Sequence, residues 1–193
     1  PSVVHIDMVA GEKIEVMIAA KGGGSENKSK MVMLNPSDDI ADWVVKTLPT
    51  MGAGWCPPGM LGIGIGGTAE KAAVLAKESL MDPVDIQELI ERGPQTTDEK
   101  LRLEIFDRVN KLGIGAQGLG GLTTVVDVKI KSLPTHAASK PVAMIPNCAA
   151  TRHAHFYLDG SGPAELTPPK LEDWPEVTWE VSENTRRVNL DEV

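Results

Sequence analysis

Residues 52–72 read GAGWCPPGMLGIGIGGTAEKA, and the fold follows from how that run is taken. It sits inside Thr47–Ala69, a stretch of 23 residues without a charge, long enough to suggest a membrane span. Seven glycines and three prolines fall in the same stretch, and a lipid-exposed helix of that composition would be broken. The run therefore reads as buried loop and strand beside a site. A helix follows it in TAEKAAVLAKESLM, with Thr68 as a cap and Ala73, Leu75, Ala76 and Leu80 as apolar positions. The fold class expected is α/β, with a mixed sheet, flanking helices and glycine-rich active-site loops.

Working outward, VVHIDMVAGEKIEVMIAAKGGG near the N-terminus predicts two strands joined by a turn at Gly11. Alternation in KIEVMIA predicts a half-buried strand with Ile14, Val16 and Ile18 on one face. A loop, KGGGSENKSK, comes next. A short helix is expected from Ser37 or Asp38 through Trp43 and Val44, ended by Pro49. Beyond the central run, DPVDIQELIER predicts a helix with Pro83 in its first turn. TTDEKLRLEIFDRVNKLG is the clearest helix: Thr96 and Glu99 have capping-box spacing, Leu101, Ile105 and Val109 share a face, and Gly113 stands past the end. LTTVVDVKI returns to strand, and the Pro-rich GSGPAELTPPKLEDWPEV leads to a charged end. No repeat of solenoid period occurs, although GIGIGG and GIGAQGLGG echo each other.

Composition narrows the function. The chain has 193 residues, 41% of them hydrophobic, enough for a core without disulfides. Its formal charge of -8, from 19 basic and 27 acidic side chains, argues against a nucleic-acid surface, which needs clustered positive charge. The same sign repels anions, so a carboxylate-binding site must rest on local donors. Only Cys56 and Cys148 occur, too few for a secreted disulfide scaffold, and a reducing, cytoplasmic setting is expected.

Several motifs compete with plainer readings. Gly62, Gly64 and Gly67 fit G-x-G-x-x-G, as do Gly113, Gly115 and Gly118. The first is followed by a helix, but the acids after it, Asp82 and Asp85, flank Pro83 rather than a strand end. The second follows a helix and runs into a strand, the wrong order for a dinucleotide site. Tight turns and close backbone packing account better for these glycines. His153 and His155 form an H-x-H pair which, on a strand, points both rings to one face. With His136 and the cysteines they suggest zinc, yet the cysteines lie 92 positions apart and neither has a C-x-x-C partner. Taken singly, these residues read as core or surface histidines and buried thiols. KGGGSENKSK reads either as an anion-binding concavity of backbone N–H groups, helped by Lys21, Lys28 and Lys30, or as a flexible loop.

Taken together and in order, AKGGGSENKS, GAGWCPPGMLGIGIGGTAEKA, GIGAQGLGGLTTV, PTHAASKPVAMIPNCAATRHAHF and DGSGPA resemble class I, iron–sulfur-dependent fumarate hydratase over nearly the whole chain. The resemblance implies that 1–180 belong to the cluster-binding (alpha-type) catalytic domain and that 181–193 begin a linker to a swivel (beta-type) domain. It implies a [4Fe-4S] cluster on three cysteines with one iron open to substrate. Cys56 and Cys148 match two of these ligands, and the third would lie upstream of Pro1. Gly24 and His136 match residues that contact substrate; Arg152 also matches the pattern, without an assigned role. Acid and base residues are expected outside these 193 residues. The implied reaction is reversible hydration of fumarate to (S)-malate, with L-tartrate dehydratase or a related 2-hydroxy-acid hydro-lyase as the alternative. A non-catalytic fragment without a complete cluster is the other alternative, since two thiols cannot make a three-thiolate site. The implied partners are a small dicarboxylate, the remainder of the enzyme or a beta-type subunit, and a second copy in a homodimer; no nucleic acid or membrane is expected.

Overall fold

The computed structural model describes residues 2–150 and 152–162. The Pro-rich tail from residue 163 onward and the expected linker at 181–193 lie outside the described residues. One compact unit ends at Leu158 and a second begins at Asp159.

The predicted strand from the glycine-rich run is β3, Gly59–Gly66, and the helix after it is α3, Ala69–Ser79. Strand β3 pairs in parallel with β4, Val125–Leu133, and antiparallel with β5, Lys140–Cys148. Strand β2, Lys30–Leu34, adds antiparallel to β5 and completes a mixed four-stranded sheet of order β2-β5-β3-β4. The β3-to-β4 crossover carries α3, α4 (Ile86–Arg92) and α5 (Thr97–Asn110).

Helices cover both faces of the sheet, and the period-2 alternation of its strands sorts the core in two. Met60 on β3 and Ala143 and Ile145 on β5 pack with Ala72, Ala76 and Leu80 beside α3. Leu61, Ile63, Val142 and Met144 face the other way, against Ile105 and Val109 of α5 and Ala41 and Val44 of α2, Ile40–Thr47. Gly62 and Gly64 face α3. A Cβ on Gly62 would stand 2.2 Å from the Ala76 carbonyl oxygen, and one on Gly64 1.9 Å from that of Ala72. These glycines therefore bring a helix backbone onto a strand backbone, the close-packing reading of the G-x-G-x-x-G match.

The capping box of α5 forms as expected: Thr96 Oγ1 accepts from Glu99 N at 3.1 Å and Glu99 Oε2 accepts from Thr96 N at 3.1 Å. Gly113 follows in a left-handed turn, φ 66°. Thr68 is the N-cap of α3, although its side chain makes no capping bond. Helix α2 starts one or two residues later than expected: Asp39, not Ser37 or Asp38, caps it by accepting from Asp42 N at 2.8 Å. Pro83 precedes α4, whose N-cap is Asp85, rather than sitting in its first turn.

The N-terminal expectation is corrected. Residues 2–13 form no strand, and the strand β1, Ile14–Ala19, pairs with β6, His153–Leu158, instead of with a preceding hairpin arm. Nor is β1 half-buried on one face: Val16 is partly covered, but Ile14 is 62% and Ile18 53% exposed. Alternation set the strand, while its apolar side stays largely exposed.

Two outcomes test this packing. Gly64→Ala should destabilise the 193-residue chain by about 1–3 kcal/mol in urea titration, because α3 has to lift from β3 to admit a methyl group. Glu99 is held down from 4.5 to about 2 by the Arg92 guanidinium and the Gln95 and Thr96 N–H groups. A depressed carboxylate contributes stability that is present above the ordinary value and lost as pH falls toward the depressed one. Wild-type stability should therefore decline between pH 4.5 and about 2, and Glu99→Gln should flatten that part of the profile in thermal melts at successive pH values.

Candidate functional site

The WCPPG motif occupies the loop between α2 and β3. After a 3₁₀ turn at Leu48–Met51, the chain folds back so that Cys56 N donates to Ala53 O at 2.9 Å. Trp55 is fully buried beneath this loop, while Cys56 is exposed and has φ 60°. A left-handed non-glycine backbone is uncommon and concentrates at functional sites. Gly59 opens β3 directly beyond, and a Cβ there would lie 2.1 Å from Asn147 O and 2.9 Å from Trp55 Cζ3. That close approach seats the end of β5 beside the loop. In the register of the two strands, Gly59 is the Cα partner of Cys148. Both cysteines thus lie at the same end of the sheet, the start of β3 and the finish of β5, with Cys148 half-buried and both thiols free.

Two further glycine loops close on this end. Gln117 N donates to Pro57 O at 2.7 Å, and a Cβ on Gly118 would press to 2.9 Å of Ala53 Cβ. The two segments that echo each other in sequence therefore touch in space: GIGAQGLGG clasps the loop that leads into GIGIGG. On the other side, a Cβ on Gly24 would come within 2.6 Å of Gly54 O. Gly24 belongs to the single turn α1, Gly23–Glu26, which packs on β5.

Charge at this end is organised by Lys21. Its Nζ donates to Ser25 Oγ at 2.8 Å and pairs with Glu26 Oε2 at 3.1 Å, and Lys77 of α3 pairs with the same Glu26 oxygen. Burial lowers the Lys21 pKa more than Glu26 raises it, and Cys148 acts on it electrostatically. Burial pushes the Glu26 carboxyl up, but hydrogen bonds from Lys77 and Lys21 outweigh this and hold it below its ordinary value. Lys21 and Lys28 were visible as local positive charge in the sequence. Lys77 was not, because it arrives from 51 positions beyond Glu26.

His136 stands elsewhere. It follows β4 at the sheet end where β3 finishes, beside an open depression of about 610 Å³ lined by Gly67, Thr68, Pro134, Thr135, His136 and Ser139. Its Nδ1 accepts from Ala138 N at 3.1 Å. Strand β5 separates this depression from Cys148, and eight steps at about 3.3 Å per residue make roughly 26 Å. Within one chain His136, which the resemblance implies contacts substrate, therefore lies apart from the two cysteines. The glycines of the first loop do border them.

The histidine pair of β6 has its own explanation. His155 Nε2 bonds Glu15 Oε1 at 2.7 Å across the ribbon, and its ring lies 5.2 Å from that of Tyr157. Burial lowers the His153 pKa. Among the described residues no three His, Cys, Asp or Glu side chains converge as metal ligands, so the zinc reading gains nothing. Asp85, weighed as a ribose-binding acid, is instead an ion-pair partner of Lys129 and Arg102, each at 2.5 Å.

Comparison with known proteins bears on the same residues. The family model described as Fumarate hydratase (Fumerase) matches residues 1–157. The chain is 40% identical to the putative L(+)-tartrate dehydratase subunit alpha of Methanocaldococcus jannaschii, over 78% of this chain and 52% of that protein. It is 31% identical to the L(+)-tartrate dehydratase subunit alpha of Escherichia coli (strain UTI89 / UPEC), over 74% of this chain and 46% of that one. It is 32% identical to the anaerobic class I fumarate hydratase of Escherichia coli (strain K12), over 84% of this chain and 31% of that one. The chain spans about half the length of the tartrate dehydratase subunits it matches, and less of the fumarate hydratase. With the family model covering 157 of 193 residues, the chain belongs to the fumarate hydratase (Fumerase) family of hydro-lyases.

Proposed function

We propose that this chain is the cluster-binding part of a cytoplasmic class I fumarate hydratase that interconverts fumarate and (S)-malate. The observation that carries the reading is the placement of Cys56 and Cys148 at one end of the sheet, across the Gly59–Cys148 pairing, between glycine loops. The surroundings suit a metal–sulfur group. Cβ-free backbone lines the loops at Gly24, Gly54 and Gly59, and the buried indole N–H of Trp55 has no acceptor among the described residues. Thiolates are the ligands iron–sulfur clusters use. With two cysteines in the sequence, a three-cysteine site takes its third thiolate from outside these residues.

A [4Fe-4S] cluster with one open iron would supply a Lewis acid toward the substrate's carboxylate and hydroxyl oxygens. The chain's own residues bind and orient. Gly24 offers a backbone N–H on a turn whose missing side chain lets the Gly54 carbonyl pack against it, and Lys21 and Lys28 offset the net charge of -8 locally. His136 lies roughly 26 Å from Cys148 within one chain, so in this reading it reaches the substrate from the second copy of a homodimer. The proton donor and acceptor come from the rest of the enzyme, a covalently linked swivel domain or a beta-type subunit.

A second substrate, L(+)-tartrate, is favoured by one observation: the 40% identical relative carries a tartrate dehydratase name. Assay of the complete enzyme on fumarate, (S)-malate and L(+)-tartrate decides between them, and turnover of none of the three overturns both.

Replacing either ligand in the complete enzyme should abolish cluster and activity together. After anaerobic reconstitution, Cys56→Ser and Cys148→Ser are expected to show iron and turnover at background; a full iron count with normal turnover in either variant refutes the assignment. The 193-residue chain alone, with an incomplete thiolate set, should retain little iron and no hydratase activity, because metal affinity needs the ligands preorganised. Malate formation from fumarate, followed by loss of ultraviolet absorbance, checks this.

A further inference from the structure

Residues 112–126, LGIGAQGLGGLTTVV, run for 15 positions without a charge in a chain in which 24% of residues are charged. The core explains only the ends of this run: Leu112 and Ile114 pack against it, and Val125 is buried within it. Between them, Ala116–Thr123 are exposed at every position. Leu119 and Leu122 are 89% and 93% exposed. A loop that faces only water carries polar and charged groups; here charge is absent, as at the cores of protein interfaces.

The backbone builds this exposure in. Gly120 N donates to Ile114 O at 2.9 Å and Gly121 N to Gly113 O at 3.3 Å, so the loop doubles back on itself. Inside the turn, Gly118 N donates to Gly115 O at 3.1 Å and Leu119 N to Ala116 O at 3.0 Å. Gly115 has φ 64°, and a Cβ on it would lie 2.2 Å from the Gly120 carbonyl. Its N–H reaches the hydroxyl of the buried Thr124 at 3.3 Å. Two large apolar side chains thus stand outward on a fixed scaffold, and a surface ordered beforehand loses little freedom on binding.

Position says what that surface meets. Gln117 N donates to Pro57 O at 2.7 Å, which sets the loop against the residue next to Cys56. Leu119 stands two residues farther on, at most about 7 Å of chain. In the cluster reading given above, on which this inference rests, the proton donor and acceptor belong to the swivel (beta-type) unit. Such groups act only within hydrogen-bond reach of the substrate, about 3 Å. That unit therefore closes over the cysteine end of the sheet, and the loop beside Cys56 lies beneath it.

We propose that the 113–122 loop is a docking surface for the beta-type unit, with Leu119 and Leu122 as its apolar anchors. Burying one leucine side chain favours the docked state roughly ten- to a hundredfold.

The test uses the complete enzyme, with the beta-type unit as a subunit or a linked domain. With a photoreactive benzophenone amino acid in place of Leu119, irradiation should join the loop to beta-type peptides, read by mass spectrometry. Cross-links confined to the alpha-type domain, of the same or a second copy, overturn the proposal, as does the lack of any. Leu119→Asp combined with Leu122→Asp sets two carboxylates against the docked surface. Its turnover should fall about tenfold or more, while iron per chain after anaerobic reconstitution stays at the wild-type level because the loop holds no cysteine. Unchanged turnover in the folded, iron-loaded double variant also overturns the proposal. Circular dichroism verifies folding; if the double variant does not fold or load, the cross-link, made at a single exposed position, decides. Wild type that takes up no iron overturns the cluster reading, whereas a loaded wild type whose loop cross-links elsewhere overturns the docking surface alone.

Discussion

The contact between the backbones of α3 and β3 is the constraint from which the rest follows. Gly62 and Gly64 lie on the α3-facing side of the strand, and the carbonyls of Ala76 and Ala72 sit where side chains would otherwise stand. Drawn in this far, α3 covers the central strands with small residues, Ala72 and Ala76, and leaves Met60, Ala143 and Ile145 to fill the remaining space. It also brings Lys77 down to Glu26, so a packing decision in the middle of the sheet reaches the charge arrangement near Cys148. At the edge of the same strand, Gly66 has φ 84° and a Cβ there would meet Leu133 O at 1.8 Å, which fixes where β3 ends against β4.

Edge strand β4 is tied differently, through Asp127 and Lys129, which pair with Met60 and Gly62 and share their face. Asp127 is fully buried on β4, beside Lys129 at 2% exposure and Arg102 of α5 at 8%. Arg102 Nε donates to Val128 O at 2.7 Å and Nη2 to Asp127 Oδ1 at 3.2 Å, while Asp127 Oδ2 accepts from Asp85 N at 3.0 Å. Burial by itself raises the Asp85 carboxyl, but Lys129 and Arg102 hold it below its ordinary value. Two acids and two bases thus lock the starts of α4 and the middle of α5 to one strand. Such a set is worth little compared with an apolar core of equal volume, yet losing one member strands a buried charge at about 3–5 kcal/mol. Its role is to fix position, and it holds the crossover that makes β3 and β4 parallel.

How much of this was readable depended on whether the determining contacts were local. The capping box of Thr96 and Glu99, the helix after Thr68 and the strand in LTTVVDVKI are local signals, and they appear where expected. Strands β2 and β5 were not assigned from pattern: MVML is short, and PVAMIPNC is buried along most of its length and so shows no alternation. The supposed hairpin at Gly11 had the right residue types, but pairing partners are chosen by tertiary contact, and β1 found His153–Leu158 instead. Arg102 carries no signal of burial in the sequence, and only the arrival of β4 covers it. For the site, the long glycine and cysteine motifs carried the family and located Cys56 and Cys148. That Cys56 and Cys148 share a sheet end depends on the antiparallel register of β5 on β3, 92 positions apart in sequence, and no spacing rule reports it. The same register sends His136 to the far end, which the motif order could not reveal.

Strand β5 therefore works as a spacer as well as a core element. Its nine residues are hydrogen-bonded to β2 on one side and β3 on the other, and they separate the thiol end from the depression beside His136 by more than twice the distance over which substitutions usually couple. Within a single chain the two ends are thermodynamically insulated: a double-substitution cycle spanning them has close to no interaction energy.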